Sequence, residues 1–202
     1  GIKPMTDKFP ALAFHSMPVG AGYARPEQSY PDGLSVDSPA MEAMTDLRRV
    51  TALTVERTNT LAATRERMQK LGVRMLLVTG ATGAVMGVVT VTDLDSGRPE
   101  KIAAKTGEQP DDLYVQDIMT LRGRIEVLRL QDVSGATTGQ VLSSLRRAGR
   151  RHALVLDDSG GDEAGEICGI FSLTRVCAQV GLDIQPGAPM GSIERALQSV
   201  LD

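Results

Sequence analysis

Two stretches decide how this chain reads: GVVTVTDL at 87–94 and GIFSLTRV at 169–176. Each opens on a glycine and runs through apolar residues suited to a buried strand. Each then reaches a Thr or Ser where a helix can begin. The second is the first repeated at an offset of 82, from Gly87 to Gly169.

Working outward, the likeness continues. LAATRERMQKLGVRMLLVT (61–79) lies over TGQVLSSLRRAGRRHALVL (138–156) at an offset of 77, which takes Arg74 to Arg151. EAMTDLRRVTALTV (42–55) lies over DIMTLRGRIEVLRL (117–130) at an offset of 75, which takes Thr45 to Thr120 and Val50 to Ile125. The offset grows only between segments, before the helix and in DDSGGDEAGE (157–166). Length changes confined to connections are what a duplicated fold shows, because loops absorb them at little cost.

Both copies give one pattern. A short extended run (50–55; 125–130) precedes a helix (61–71; 138–148), with Thr60 placed to cap the first. Gly72 and Gly149 stand just past the helix ends, where a left-handed residue closes the last turn. Two β runs follow (75–79 and 85–89; 153–156 and 167–171), and a last helix starts near Asp93 or Arg175. The expected fold is mixed α/β (α+β), with β-α-β-β-α twice. Such a small unit cannot bury enough surface alone, so the copies are expected to pack sheet to sheet.

Residues 1–40 have no such period. Pro4, Pro10, Pro18, Pro26, Pro31 and Pro39 deny backbone donors, so an irregular arm is expected there, loose or laid across a partner. The domain reading is an arm at 1–40, repeat 1 at 41–110, and repeat 2 at 111–202 with a C-terminal helix.

Composition bounds the chemistry. Aromatics are 3% with no Trp, so the core is aliphatic, and the net charge of −3 gives no global field for nucleic acid. Two cysteines, Cys168 and Cys177, make no disulfide framework, and with only His15 and His152 they make no closed zinc site. No apolar run approaches the roughly 20 residues that span a bilayer, and no signal peptide is visible. A cytoplasmic protein is expected. No nucleophile–base order, metal-ligand spacing or phosphate loop is present, so no catalytic residue, metal or required cofactor is assigned.

The order of DIMT (117–120), LGVRMLLVT (71–79), AGRRHALVLDD (148–158) and GVVTVTDL (87–94) resembles the CBS domain family, and the pair resembles a Bateman module. The resemblance covers about 41–182. It implies two clefts between the repeats for adenosine-containing ligands: AMP, ADP, ATP or S-adenosylmethionine. It also implies a regulatory role, a disk-like homodimer and a separate effector protein.

Carried onto this sequence, the first cleft would use Thr90 and Asp93 of the T-x-x-D segment with Val88. Facing them would be Thr120, Ile125, Arg150, Arg151 and His152. A carboxylate can accept from two ribose hydroxyls, and arginine meets phosphate through a planar fork of donors. The second cleft would use Thr45, Val50, Arg74, Ser172 and Arg175. Arginine at 175 cannot accept from ribose. That cleft is expected to be empty, to be filled by Arg175, or to hold a different ligand or only a phosphate.

Other readings stand beside these. Thr90 and Asp93 also suit a helix cap, the run RRAGRRH (146–152) also suits a solvated face, and His152 also suits a packed strand position. Cys168 reads as a small buried hydrophobe. The oxygens of 157–166 match no calcium-loop spacing. A structural or interaction scaffold with degenerate ligand sites is the alternative function, and nucleic-acid binding a weaker one.

Overall fold

The computed structural model describes Pro10, Ala13, 15–22, 33–161 and 164–202. Two units separate, Gly1–Tyr30 and Pro31–Asp202. In the first, the described residues 15–22 are exposed and form neither helix nor strand, and Ala21 N donates to the Pro18 carbonyl at 3.2 Å. The arm's Pro4, Pro26 and Pro31 lie outside the described residues.

The second unit holds both repeats. Its helices are α1 (Ala40–Ala43), α2 (Leu61–Leu71), α3 (Val91–Leu94), α4 (Arg98–Thr106), α5 (Leu130–Val133), α6 (Thr138–Ala148), α7 (Leu173–Gln179) and α8 (Met190–Leu201). Its strands are β1 (Thr45–Asp46), β2 (Thr54–Glu56), β3 (Met75–Thr79), β4 (Val85–Thr90), β5 (Thr120–Leu121), β6 (Leu128–Arg129), β7 (His152–Asp157) and β8 (Glu166–Ser172).

The two long equivalent helices begin and end on local signals. The Thr60 hydroxyl accepts from Ala63 N at 3.2 Å, and the Thr137 hydroxyl accepts from Gln140 N at 3.2 Å. Gln140 answers by accepting from Thr137 N at 2.8 Å, closing a capping box. Gly72 (φ 65°) and Gly149 (φ 64°) close the C-termini in the left-handed region.

Two four-stranded sheets result, ordered β2-β3-β4-β5 and β1-β8-β7-β6. Their edges are exchanged. β5, from the start of the second repeat, pairs antiparallel with β4 of the first, Val88 opposite Thr120. β1, from the start of the first repeat, pairs antiparallel with β8 of the second, Thr45 opposite Ile170. Each repeat therefore completes the other's sheet.

Two glycines permit this crossing. A Cβ on Gly87 would collide with the Thr120 carbonyl oxygen, and one on Gly169 with the Met44 side chain. The glycine opening both motif copies is where the neighbouring strand passes over the backbone.

Alternation along the strands then builds three apolar layers. In β3, Leu76 and Val78 face a core with Leu61, Met68, Val89 and Ile118. In β7, Val155 faces a second core with Leu142, Phe171, Ile193 and Leu197. Met75, Leu77 and Leu154 point the other way, into a layer shared by both sheets with Leu47, Val88, Ile125 and Ile170 around it. The sheets thus pack face to face. Arm residues 34–40 dock on the second repeat: Leu34 joins its core, and Thr138 N and Gly139 N donate to the carbonyls of Ser38 and Val36, each at 2.8 Å.

The first strands are shorter than the extended runs read from sequence. Arg49 N and Val50 N both donate to the Asp46 carbonyl, at 3.0 and 3.1 Å, so the chain turns there and β2 starts only at Thr54. A 3-10 turn at Arg122–Arg124 does the same in the second repeat, and Leu130 already begins α5.

Candidate functional site

The residues expected to line the first cleft start at the end of β4, two residues beyond its pairing with β5. Thr90 caps α3, and its backbone N and hydroxyl both donate to Asp93 Oδ2, at 2.9 and 3.1 Å. Asp93 N donates back to Thr90 Oγ1 at 3.2 Å. One carboxylate oxygen is thereby fixed, while Oδ1 accepts no hydrogen bond from the described residues. The helix-cap reading of this pair is correct as geometry, and the cap uses only one of the two carboxylate oxygens as acceptor.

Of the residues expected to face this pair, Thr120 lies beside Val88 in the sheet. Val88 and Ile125 are partly buried against the inter-sheet layer. Arg150 is tied to Glu126, next to Ile125, through the Glu126 carbonyl at 3.3 Å and through its carboxylate.

The basic run 146–152 divides in three directions. Arg146 makes a paired contact to Asp202 at 3.1 and 3.2 Å, joining α6 to the end of α8. Arg150 takes Glu126. Arg151 Nη2 donates to the Ala188 carbonyl at 2.5 Å, in the loop before α8. His152 starts β7 on the face that carries Leu154, toward the inter-sheet layer. Burial first, then the charges of Arg151 and Arg74, push its pKa down to about 4, so the imidazole is neutral at pH 7.

The residues expected to line the second cleft are arranged differently from their equivalents. Where Asp93 stands in the first, Arg175 Nη1 donates to Thr45 Oγ1 at 2.8 Å, so this side chain reaches the exchanged strand. The Ser172 hydroxyl lies 3.3 Å from that of Thr174 and caps nothing in α7. Val50, counterpart of Ile125, is exposed. Arg74 lies against Gly187, whose added Cβ would come within 3.3 Å of the guanidinium. Sequence reasoning missed both loop contacts, to Arg74 and to Arg151, because nothing local announces a loop folding back from beyond the last motif.

Two open surface depressions lie elsewhere. One of about 270 Å³ runs along α2 at Ala63, Arg67 and Leu71. One of about 450 Å³ sits between the repeats in sequence, at Glu108, Asp112 and Tyr114. Neither includes the cleft residues. Cys168 and Cys177 are buried, and burial raises both thiols, Cys177 to about 11, so neither is poised as a thiolate. Among the described residues no helix is long and apolar enough to cross a membrane.

No family model matches the sequence, and no curated protein matches it. Solved structures do. An uncharacterized conserved protein from Pyrococcus horikoshii aligns over 76% of this chain and 100% of its own, at 21% identity and a TM-score of 0.53. The CBS domain of a bacterial CNNM/CorC family Mg2+ transporter, in complex with ATP, aligns over 74% of this chain and 91% of its own, at 21% identity and a TM-score of 0.52. The CBS domain of that bacterial transporter family in complex with an inhibitor aligns over 75% and 80%, at 19% identity and a TM-score of 0.50. At these identities the likeness is one of fold, and the fold of this chain is that of a tandem CBS-domain pair.

Proposed function

We propose that this chain is a non-catalytic regulatory module. It binds an adenosine-containing ligand, AMP, ADP, ATP or S-adenosylmethionine, in the cleft around Asp93. It passes the bound state to a partner protein and acts as a homodimer. The observation that carries the reading is the half-satisfied Asp93 carboxylate. Oδ2 is held by Thr90, Oδ1 accepts no hydrogen bond from the described residues, and Val88, two residues before Thr90 on the same strand, pairs with Thr120 of the other repeat. A carboxylate fixed on one oxygen is a preorganised acceptor for a ribose hydroxyl, and the apolar neighbours suit a base. The ATP complex of the transporter's CBS domain, a fold neighbour, lends further support.

The two clefts have different capacities in this reading. Arg175 engages Thr45 and offers ribose no acceptor, so the second cleft takes no nucleoside. That same contact favours the alternative, a scaffold with degenerate ligand sites. Thermal unfolding separates the two. A ligand at 100 times its dissociation constant adds about 2.7 kcal/mol to the folded state. AMP, ADP, ATP or S-adenosylmethionine at millimolar levels should raise the melting temperature, and an unmoved transition with all four would leave the scaffold reading standing.

A further inference from the structure

One connection in the second repeat is much longer than the one that follows the equivalent helix of the first. In the first, α3 passes to α4 through the three residues 95–97. In the second, α7 passes to α8 through the ten residues 180–189. The extra length is anchored at both ends. Leu182, Ile184 and Ala188 are partly buried against the second-repeat core, and Ile193 and Leu197 of α8 are buried in it. Leu182 N donates to the Cys177 carbonyl at 2.9 Å, and Ala188 N to the Gln185 carbonyl at 3.0 Å.

Its crest meets the two equivalent basic residues at the feet of β3 and β7. Gly187, at φ 79°, lies against the Arg74 guanidinium. The Ala188 carbonyl receives the Arg151 guanidinium at 2.5 Å. The nucleotide reading assigns both cations to the anionic end of a ligand, but the sheets place them the other way round from the sequence expectation. Arg74 adjoins the Thr90–Asp93 segment, its carbonyl accepting from Val91 N at 3.0 Å. Arg151 adjoins Ser172, its carbonyl accepting from Leu173 N at 2.8 Å, so the crest spans one cation beside each motif segment.

We propose that residues 183–189 form a self-occluding strap, in which the Ala188 carbonyl occupies on Arg151 the place of a ligand's anionic oxygen. This rests on the nucleotide reading of the Asp93 cleft. A phosphate oxygen is a stronger acceptor for a guanidinium than a peptide carbonyl, so a phosphate-bearing ligand displaces the strap and an uncharged nucleoside does not. Displacement works on the segment that leads into α8, so the strap links the charge of the ligand to the position of the last helix.

The test is a full-length variant with Gly-Ser-Gly-Ser inserted between Gln185 and Pro186, which slackens the strap and leaves α8 its buried anchors. Calorimetry would compare ATP and adenosine on both proteins. The strap predicts ATP affinity tighter by roughly tenfold or more, the worth of one displaced hydrogen bond to a charged group, with adenosine unchanged. Hydrogen exchange on the unmodified protein gives a second reading, in which saturating ATP speeds exchange at 183–189. Equal ATP affinities, or exchange at 183–189 unmoved by saturating ATP, would overturn the strap and leave the nucleotide reading intact. A failure of both proteins to bind ATP would overturn the nucleotide reading and the strap with it.

Discussion

At the scale of the residue, the two copies carry opposite charges at the fourth position of the motif. Asp93 and Arg175 are equivalents, yet one is a carboxylate whose Oδ2 accepts from Thr90 and the other a guanidinium that donates to Thr45. Asp93→Ala should abolish nucleotide binding in calorimetry. It also removes the Thr90 capping box, at a cost of about 1 kcal/mol in urea unfolding. Arg175→Ala should leave nucleotide binding nearly intact, and an equal loss from both variants would refute the asymmetry. His152 carries a second expectation. Its folded pKa of about 4 lies below the ordinary 6.5, so the unfolded chain takes up a proton first as pH falls. Its contribution is whole above pH 6.5 and declines through the window down to about 4, by about 3 kcal/mol in all. His152→Gln should flatten that part of the curve of unfolding free energy against pH. A slope identical to that of the unmodified protein would contradict the buried neutral imidazole.

At the scale of the element, the exchanged edge strands depend on two glycines under different constraint. Gly87 faces a backbone carbonyl, which cannot move without shifting β5, whereas Gly169 faces the flexible Met44 side chain. Gly87→Ala should therefore cost about 2–3 kcal/mol, near the upper range for overpacking, and Gly169→Ala less than about 1.5. Denaturant unfolding of both variants checks the order, and a reversed order would show that β5 is not held as described. The same elements show what the sequence could reveal. The bounds of α2 and the end of α6 were legible because Thr60, Gly72 and Gly149 act within a turn of their own helix, whereas the Thr137 cap of α6 emerged only in the structure. β3, β4, β7 and β8 were legible as apolar runs. The edge exchange was not, since β1 and β5 are two residues each and pair with strands far along the chain. Nor was the turn at Asp46 that leaves Val50 exposed, because it depends on backbone bonds and not on apolar spacing.

At the scale of the whole molecule, duplication supplies the architecture, and departures from it supply the site. The two sheets share one apolar layer, and neither is complete without the other's edge strand. Of the candidate site, the Thr90–Asp93 cap and the pairing of Val88 with Thr120 agree with the grouping that the resemblance implied. The division of the basic run among Asp202, Glu126 and Ala188 could not, because each partner comes from a different part of the fold. These asymmetries make the central claim one of stoichiometry: a paired scaffold with a single nucleoside-binding cleft. The most direct measurement is isothermal titration of the full chain with ATP and with AMP. One nucleotide bound per chain, with the heat lost in Asp93→Ala, is the predicted result. Two equal sites per chain, or no heat with either nucleotide, would contradict the account.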